Sequence, residues 1–227
     1  MKLAFFGAAR QVTGSCYFLD TGGLKLLVDC GLFQERSFLE RNWEALPVPP
    51  EELDFILLTH AHLDHSGLIP KVVRDGFSGT ILTTNATADI LSIALMDAAE
   101  IQEEDAAYKK RRHQRENRTV DHPVVPLYTV QDVQAAMPLV EEVAYDVPTE
   151  LGRGVSVRFR DAGHILGSAM IEVTVRERGT VRTLVFSGDI GQWNMPFVRD
   201  PSLFEAADYA VMESTYGDRD HEDPGHV

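Results

Sequence analysis

A chain of 227 residues with 44% hydrophobic content can close one large core, with room for at most a fragment of a second unit. No apolar run reaches the roughly 20 residues that a membrane-spanning helix needs, and the opening MKLAFFGAARQVTG is too short and too weakly charged for a secretory signal. The net charge of −14 argues against a general polyanion binder, though clustered carboxylates also collect divalent cations and so leave phosphate chemistry at a metal centre open.

In chain order, residues 3–6, 15–20 and 24–28 predict three short strands separated by glycine turns, a spacing that implies antiparallel hairpins. Cys16 and Cys30 form neither a C-x-x-C pair nor a disulfide framework; both are expected reduced in apolar strands, which fits a cytoplasmic protein. Residues 35–52 read as a loop with one helical turn, closed by the Pro47–Pro50 cluster. The run Asp54–Leu58 reads as a buried strand, Ser66–Asp75 as a helix capped by Ser66 and stopped by Gly76, and Thr80–Thr83 as a strand. A long helix is predicted from Asn85 to about Arg118, apolar at helical spacing in its first half and charged in its second. Lys109, Lys110, Arg111, Arg112, Arg115 and Arg118 make its end the one basic block of an acidic chain. A solvated helix end explains that block without function, and an RNA-backbone contact is the sharper alternative. A short helix over Thr129–Met137 follows, then strands over 155–160, 168–175 and 181–187 and one more at Asp208–Met212. Strands, then helices, then strands again imply two sheets packed face to face with helices outside.

The densest chemistry is Thr59-His60-Ala61-His62-Leu63-Asp64-His65, three histidines and an aspartate within six positions, placed by the prediction in the loop after a strand. Imidazole and carboxylate are donors suited to zinc and similar cations. Alternate spacing aims His60 and His62 at one point, with Asp64 and His65 free to reach a second. His164, between Gly163 and Gly167, and the carboxylates Asp29, Asp189 and Glu213 also stand at strand ends. Any one of these could merely close a turn. Together they outline a site assembled from loops on a rigid sheet.

At this point the residues resemble a known family. THAHLDHSG resembles the H-x-H-x-D-H signature of the metallo-β-lactamase fold hydrolases, and Asp29, His164 and Asp189 match further family motifs in order. The segments ESTYG, HILGSAM and FSGDIGQWNMPFVRDP resemble the RNA-processing β-CASP branch. The resemblance implies an α/β, four-layer αββα sandwich over residues 1–210, incomplete at its C-terminal end, and the start of a β-CASP insertion over 211–227. It also implies one metal on His60, His62 and His164, a second on Asp64 and His65, and Asp189 bridging both. The cofactors would be two Zn²⁺, with Mn²⁺ or Fe²⁺ as alternatives. A hydroxide between the ions would attack a phosphodiester of single-stranded RNA. Asp29 would orient His62 or a neighbouring ligand, and Glu213 would act with a histidine of the insertion to protonate the leaving oxygen.

The family pattern continues beyond Val227, where the resemblance implies the general-acid histidine and one more histidine ligand for the second metal. The chain is therefore expected to be an N-terminal portion, impaired alone, with an uncovered sheet edge that favours a homodimer. His221 and His226 are poor substitutes for the missing ligand, and His113 and His122 read as surface histidines. Two rival readings stand beside the nuclease: a hydrolase of small esters, thioesters or lactams, and a non-catalytic scaffold subunit.

Overall fold

The computed structural model describes residues 1–116, 124–177 and 179–218. Two sheets carry the fold. The first holds six strands in sequence order: β1 (Lys2–Phe5), β2 (Tyr17–Asp20), β3 (Lys25–Val28), β4 (Phe55–Leu57), β5 (Thr80–Thr84) and β6 (Val140–Val143). Its first three strands pair antiparallel and the rest parallel, as the tight early turns and the later helical crossovers require. The second sheet runs β11-β10-β9-β8-β7, from β7 (Thr149–Gly152), β8 (Val155–Asp161), β9 (Ala169–Glu177), β10 (Thr180–Phe186) and β11 (Tyr209–Val211). Its pairs are antiparallel except β10 with β11.

Strand alternation explains the layers. In β3, Leu26 and Val28 face the second sheet, where they meet Val157, Phe159, Ile171, Val173 and Phe186, while Leu27 turns to the helices. Both faces of the central strands are thus buried, and their sequences read as continuous apolar runs. On the outer face of the first sheet, Leu91, Leu95 and Ala99 of α3 (Asn85–Arg115) pack with Ile56, Ile81 and Val133 of α4 (Val130–Ala136). The opposite face of the second sheet is polar where Arg158 pairs with Glu172 at 2.7 Å. This is the α/β sandwich the sequence implies. Among the described residues no helix is long and apolar enough to cross a membrane, and both cysteines are buried and unbridged.

The helix starts follow their caps. The Thr84 hydroxyl accepts from the Thr87 amide at the head of α3. Thr129 caps α4 in a reciprocal box, accepting from the Asp132 amide while Asp132 accepts from the Thr129 amide at 2.8 Å. The basic end of α3 is solvated: its last core residue is Ala106, Lys109 faces Asp105 and Arg112 pairs with Glu116 at 2.8 Å.

One predicted element is redrawn. The helix expected over Ser66–Asp75 is two short ones, α1 (Leu63–Ser66) and α2 (Ile69–Arg74). Ser66 closes α1 instead of capping a helix, its hydroxyl donating to the carbonyls of Ala61 and His62 at 3.1 and 3.0 Å. Pro70, near the start of α2, lacks the amide that would join the two. Asp64 and His65 therefore sit on a helical turn, not in a loop. Arg118, His122, His221, His226 and residues 219–227 lie outside the described residues.

Candidate metal centre

The chemical residues follow the ends of β3, β4, β8, β10 and β11, all on one rim where the two sheets meet; the Ala169 amide donates to the Thr59 carbonyl across it at 2.8 Å. His60, His62, His164 and Asp189 form a group whose donor atoms all lie within 4.8 Å of one another. Nδ1 of His62 is 3.1 Å from Nε2 of His60 and 3.2 Å from Nε2 of His164. Oδ2 of Asp189 stands 3.7 Å from His60 and 3.5 Å from His164. Ligand bonds of about 2.0–2.1 Å put the corners of a tetrahedron about 3.3 Å apart, so these separations fit a zinc-sized ion. A single proton could not satisfy three imidazole nitrogens that face one another this closely. The donor set fits a cation.

Beside this group stands a second, thinner one. The other oxygen of Asp189, Oδ1, is 3.1 Å from Nε2 of His65, and Asp64 Oδ2 is 3.9 Å from the same nitrogen. Asp189 thus turns one oxygen to each side.

The histidines are aimed from behind by Asp29, which is fully buried and sits at φ 58°, a left-handed conformation that Asp tolerates better than most side chains. Its Oδ1 accepts from the Thr59 amide at 2.8 Å; its Oδ2 accepts from the Thr59 hydroxyl at 2.9 Å and from His65 Nδ1 at 2.7 Å. Burial leaves its pKa raised on balance against the pull of His65, and the three groups that face it are all donors, as a carboxylate requires. The Thr59 hydroxyl, its proton on Asp29, then accepts from Nδ1 of His60 at 3.0 Å. These bonds place the protons on Nδ1 of His60 and His65 and leave both Nε2 atoms facing the cluster. Asp29 was expected to orient His62 or a neighbour; the residues it reaches are His65 directly and His60 through Thr59. Thr59 was not singled out from sequence, although it is the first letter of the motif.

Electrostatics agree with this wiring at His60, whereas His65 in the metal-free chain carries a second proton, on Nε2 toward Asp189, which a bound cation would displace. Burial, then the nearby His65, holds His60 well below the ordinary imidazole range, so its lone pair is free. Burial alone would lower His65 too, but the charges of Asp29 and Asp189 outweigh it and push its pKa up to about 10. Burial lowers His164. Asp189 is lowered well below the carboxylate range, since hydrogen bonding and charge from His65, with His60 and His164 behind, overcome its burial.

Close backbone approach fixes the loops. His164 is held by Ser168, whose hydroxyl accepts from the His164 amide at 3.0 Å. Gly191, two residues after Asp189, donates its amide to the Ala162 carbonyl at 2.8 Å, and a Cβ there would lie 1.7 Å from the Gly163 carbonyl oxygen. Gly191→Ala must therefore push the Asp189 and His164 loops apart. We expect a loss of about 2–3 kcal/mol in chemical denaturation together with weaker metal binding; an unchanged denaturation midpoint would contradict this packing. Glu213 takes the Ile190 amide on Oε1 at 2.6 Å, and its own amide donates to the Ser187 hydroxyl at 3.2 Å. That braces the residue after Asp189.

A cavity of about 730 Å³ opens over the cluster, lined among others by Asp64, His65, His164, Asp189 and Glu213. His113 lies half-buried on α3 and is not one of the four clustered donors.

Comparison with known proteins bears on this geometry. The family model of the metallo-β-lactamase superfamily matches residues 9–215. "Ribonuclease TTHA0252" of Thermus thermophilus is 38% identical over 221 residues, covering 97% of this chain and 45% of that protein. "Transcription termination factor FttA" of Methanocaldococcus jannaschii is 28% identical, covering 96% of this chain and 32% of that one. "Probable RNase MJ4" of the same organism is 27% identical, covering 98% and 47%. The chain spans less than half the length of these curated relatives.

Proposed function

The chain belongs to the metallo-β-lactamase superfamily, and from that premise we propose that it is a metal-dependent hydrolase cutting phosphodiester bonds of single-stranded RNA, in the β-CASP branch. The reading rests above all on Asp189, whose two oxygens serve two adjoining groups of donors. Relatives named ribonuclease and termination factor support RNA as the substrate class, and the segment Glu213–Gly217 supports the branch. The same reading makes residues 1–210 the N-terminal major part of the metallo-β-lactamase domain and 211–227 the start of the β-CASP insertion.

His60, His62 and His164 would hold one cation and Asp64 and His65 a second, with Asp189 between; imidazole-rich donors favour zinc. Bound there, the cations supply charge neutralisation and an acidified water. The protein's own part is preorganisation. Asp29 and Thr59 keep the Nε2 lone pairs of His60 and His65 turned to the cluster. Glu213 and Gly191 hold the Asp189 loop against the His164 loop, and the cavity admits an extended strand past Asp64.

The test joins metal analysis to a substrate comparison. The purified chain should hold about two equivalents of zinc. It should cut a single-stranded RNA oligonucleotide faster than it turns over a thioester or a lactam, and lose that activity to a chelator. Faster carbonyl turnover would establish the small-molecule rival, and less than about one tightly held equivalent would favour the scaffold reading or a site that these residues alone leave incomplete.

A further inference from the structure

Arg10 is the one lysine or arginine lining the cavity among the described residues. It is exposed, and it makes no hydrogen bond or ion pair with any described residue, although Asp64, Asp189 and Glu213 line the same cavity. A guanidinium that shares a cavity with three carboxylates and pairs with none of them is free to take an anion from outside. Its backbone is unusual too: Arg10 has φ 63° and Ala8 has φ 47°, left-handed conformations that neither side chain favours.

The loop is held in that shape from outside. The Glu35 carboxylate accepts from the amides of Val12 and Thr13 at 2.9 and 3.1 Å and from the Thr13 hydroxyl. Burial works against the charge, yet these bonds keep the Glu35 carboxyl down at about 2. Arg41 donates to the Phe6 carbonyl at 2.7 Å and stacks over the Phe33 ring at 4.2 Å. Backbone strain that its surroundings enforce, beneath a charged group that no described residue pairs with, points to a ligand. A guanidinium with five donors suits a phosphate oxygen.

We propose that Arg10 grips the phosphate of the nucleotide next to the one being cut, so that the Ala8–Thr13 loop selects an anionic strand over a neutral ester. This rests on the nuclease reading above, but binding can be measured apart from cleavage.

The informative variant is Arg10→Gly, because glycine relieves the left-handed strain while removing the grip. With the zinc-loaded chain and a short, fluorescently labelled phosphorothioate RNA, Arg10→Gly should weaken binding by about tenfold and make the salt dependence shallower by about 0.7 in log–log slope, the share of one phosphate contact on a single strand. Its thermal midpoint should rise or hold, and its zinc content and its slow turnover of p-nitrophenyl acetate should not change. Arg10→Lys should restore most of the slope and only part of the affinity, since the charge returns without the planar fork. Equal affinity and slope in the parent and Arg10→Gly would overturn the proposal while leaving the nuclease reading intact. If the parent binds the strand with this difference and never cuts the unmodified RNA, the nuclease reading fails and the Arg10 contact stands; if the parent does not bind the strand, both fall.

Discussion

Asp189→Ala is expected to abolish the hydrolytic activity proposed above and most of the metal uptake while leaving the metal-free fold nearly as stable as before. Among the described residues Asp189 is the one side chain that turns an oxygen to each donor group, with Oδ2 3.5 and 3.7 Å from His164 and His60 and Oδ1 3.1 Å from His65. Removing it leaves three imidazoles on one side and only Asp64 with His65 on the other. The first group can still hold an ion weakly; the second cannot. Loss of charge stabilisation worth several kcal/mol corresponds to about three orders of magnitude or more in rate. The fold should bear the change because the carboxylate is 27% exposed and supports no core packing. In a chelator the two chains should melt within a few degrees of each other. Added zinc should raise the parent by about 2.7 kcal/mol at a hundredfold excess over its dissociation constant, and the variant by much less. The low pKa of Asp189 keeps it ionised throughout the neutral range, so the contrast should not depend on pH there. A variant that still took up two equivalents of zinc would remove Asp189 from its place between the ions.

The parts of the molecule legible in the sequence were those with a strong local signature. Strands such as Ile171–Val175 announce themselves because alternate residues fill the inter-sheet core, and Thr129 with Asp132 writes a cap in four letters. The candidate ligand cluster was legible because His60, His62, Asp64 and His65 are crowded into one motif and because His164 and Asp189 stand at strand ends, and the resemblance supplied the roles of those two. Elements β6 and β7 were missed: VEEV and TELG are half-exposed edge strands whose charges protect the sheet margins, so neither carries an apolar pattern. The turn of helix at Asp64 was hidden because its four residues are fixed by tertiary bonds, such as the amides of Ser15 and Cys30 on the carbonyls of Asp64 and His65 at 2.8 and 2.7 Å. Thr59 and Arg10 were invisible for another reason. Their significance lies in what stands opposite them, and no periodicity encodes that.

Asp29→Asn is expected to weaken metal binding by about 10- to 100-fold with little loss of fold, because it changes where two protons sit. The substitution is nearly isosteric and asparagine tolerates the left-handed backbone at φ 58°. Its amide nitrogen cannot take the Oδ1 position, where it would face the Thr59 amide, a donor at 2.8 Å that the backbone cannot turn away. It must take the Oδ2 position, opposite His65 Nδ1 and the Thr59 hydroxyl. There it donates to both. His65 then carries its proton on Nε2, the atom that faces Asp189 at 3.1 Å. The Thr59 hydroxyl, now an acceptor from the amide, swings its proton toward Nδ1 of His60 and sends that ring's proton to Nε2 as well. Both lone pairs needed for a cation are lost with no atom moved. Asp29→Ala is a different experiment: it strands three buried donors and puts alanine in a left-handed conformation, for a cost of about 3–5 kcal/mol to the fold itself. Zinc titration against a competing chelator, with ¹⁵N chemical shifts reporting the imidazole tautomers, separates the two. The wiring through Thr59 is wrong if Asp29→Asn binds zinc like the parent, or if the rings of His60 and His65 keep their protons on Nδ1.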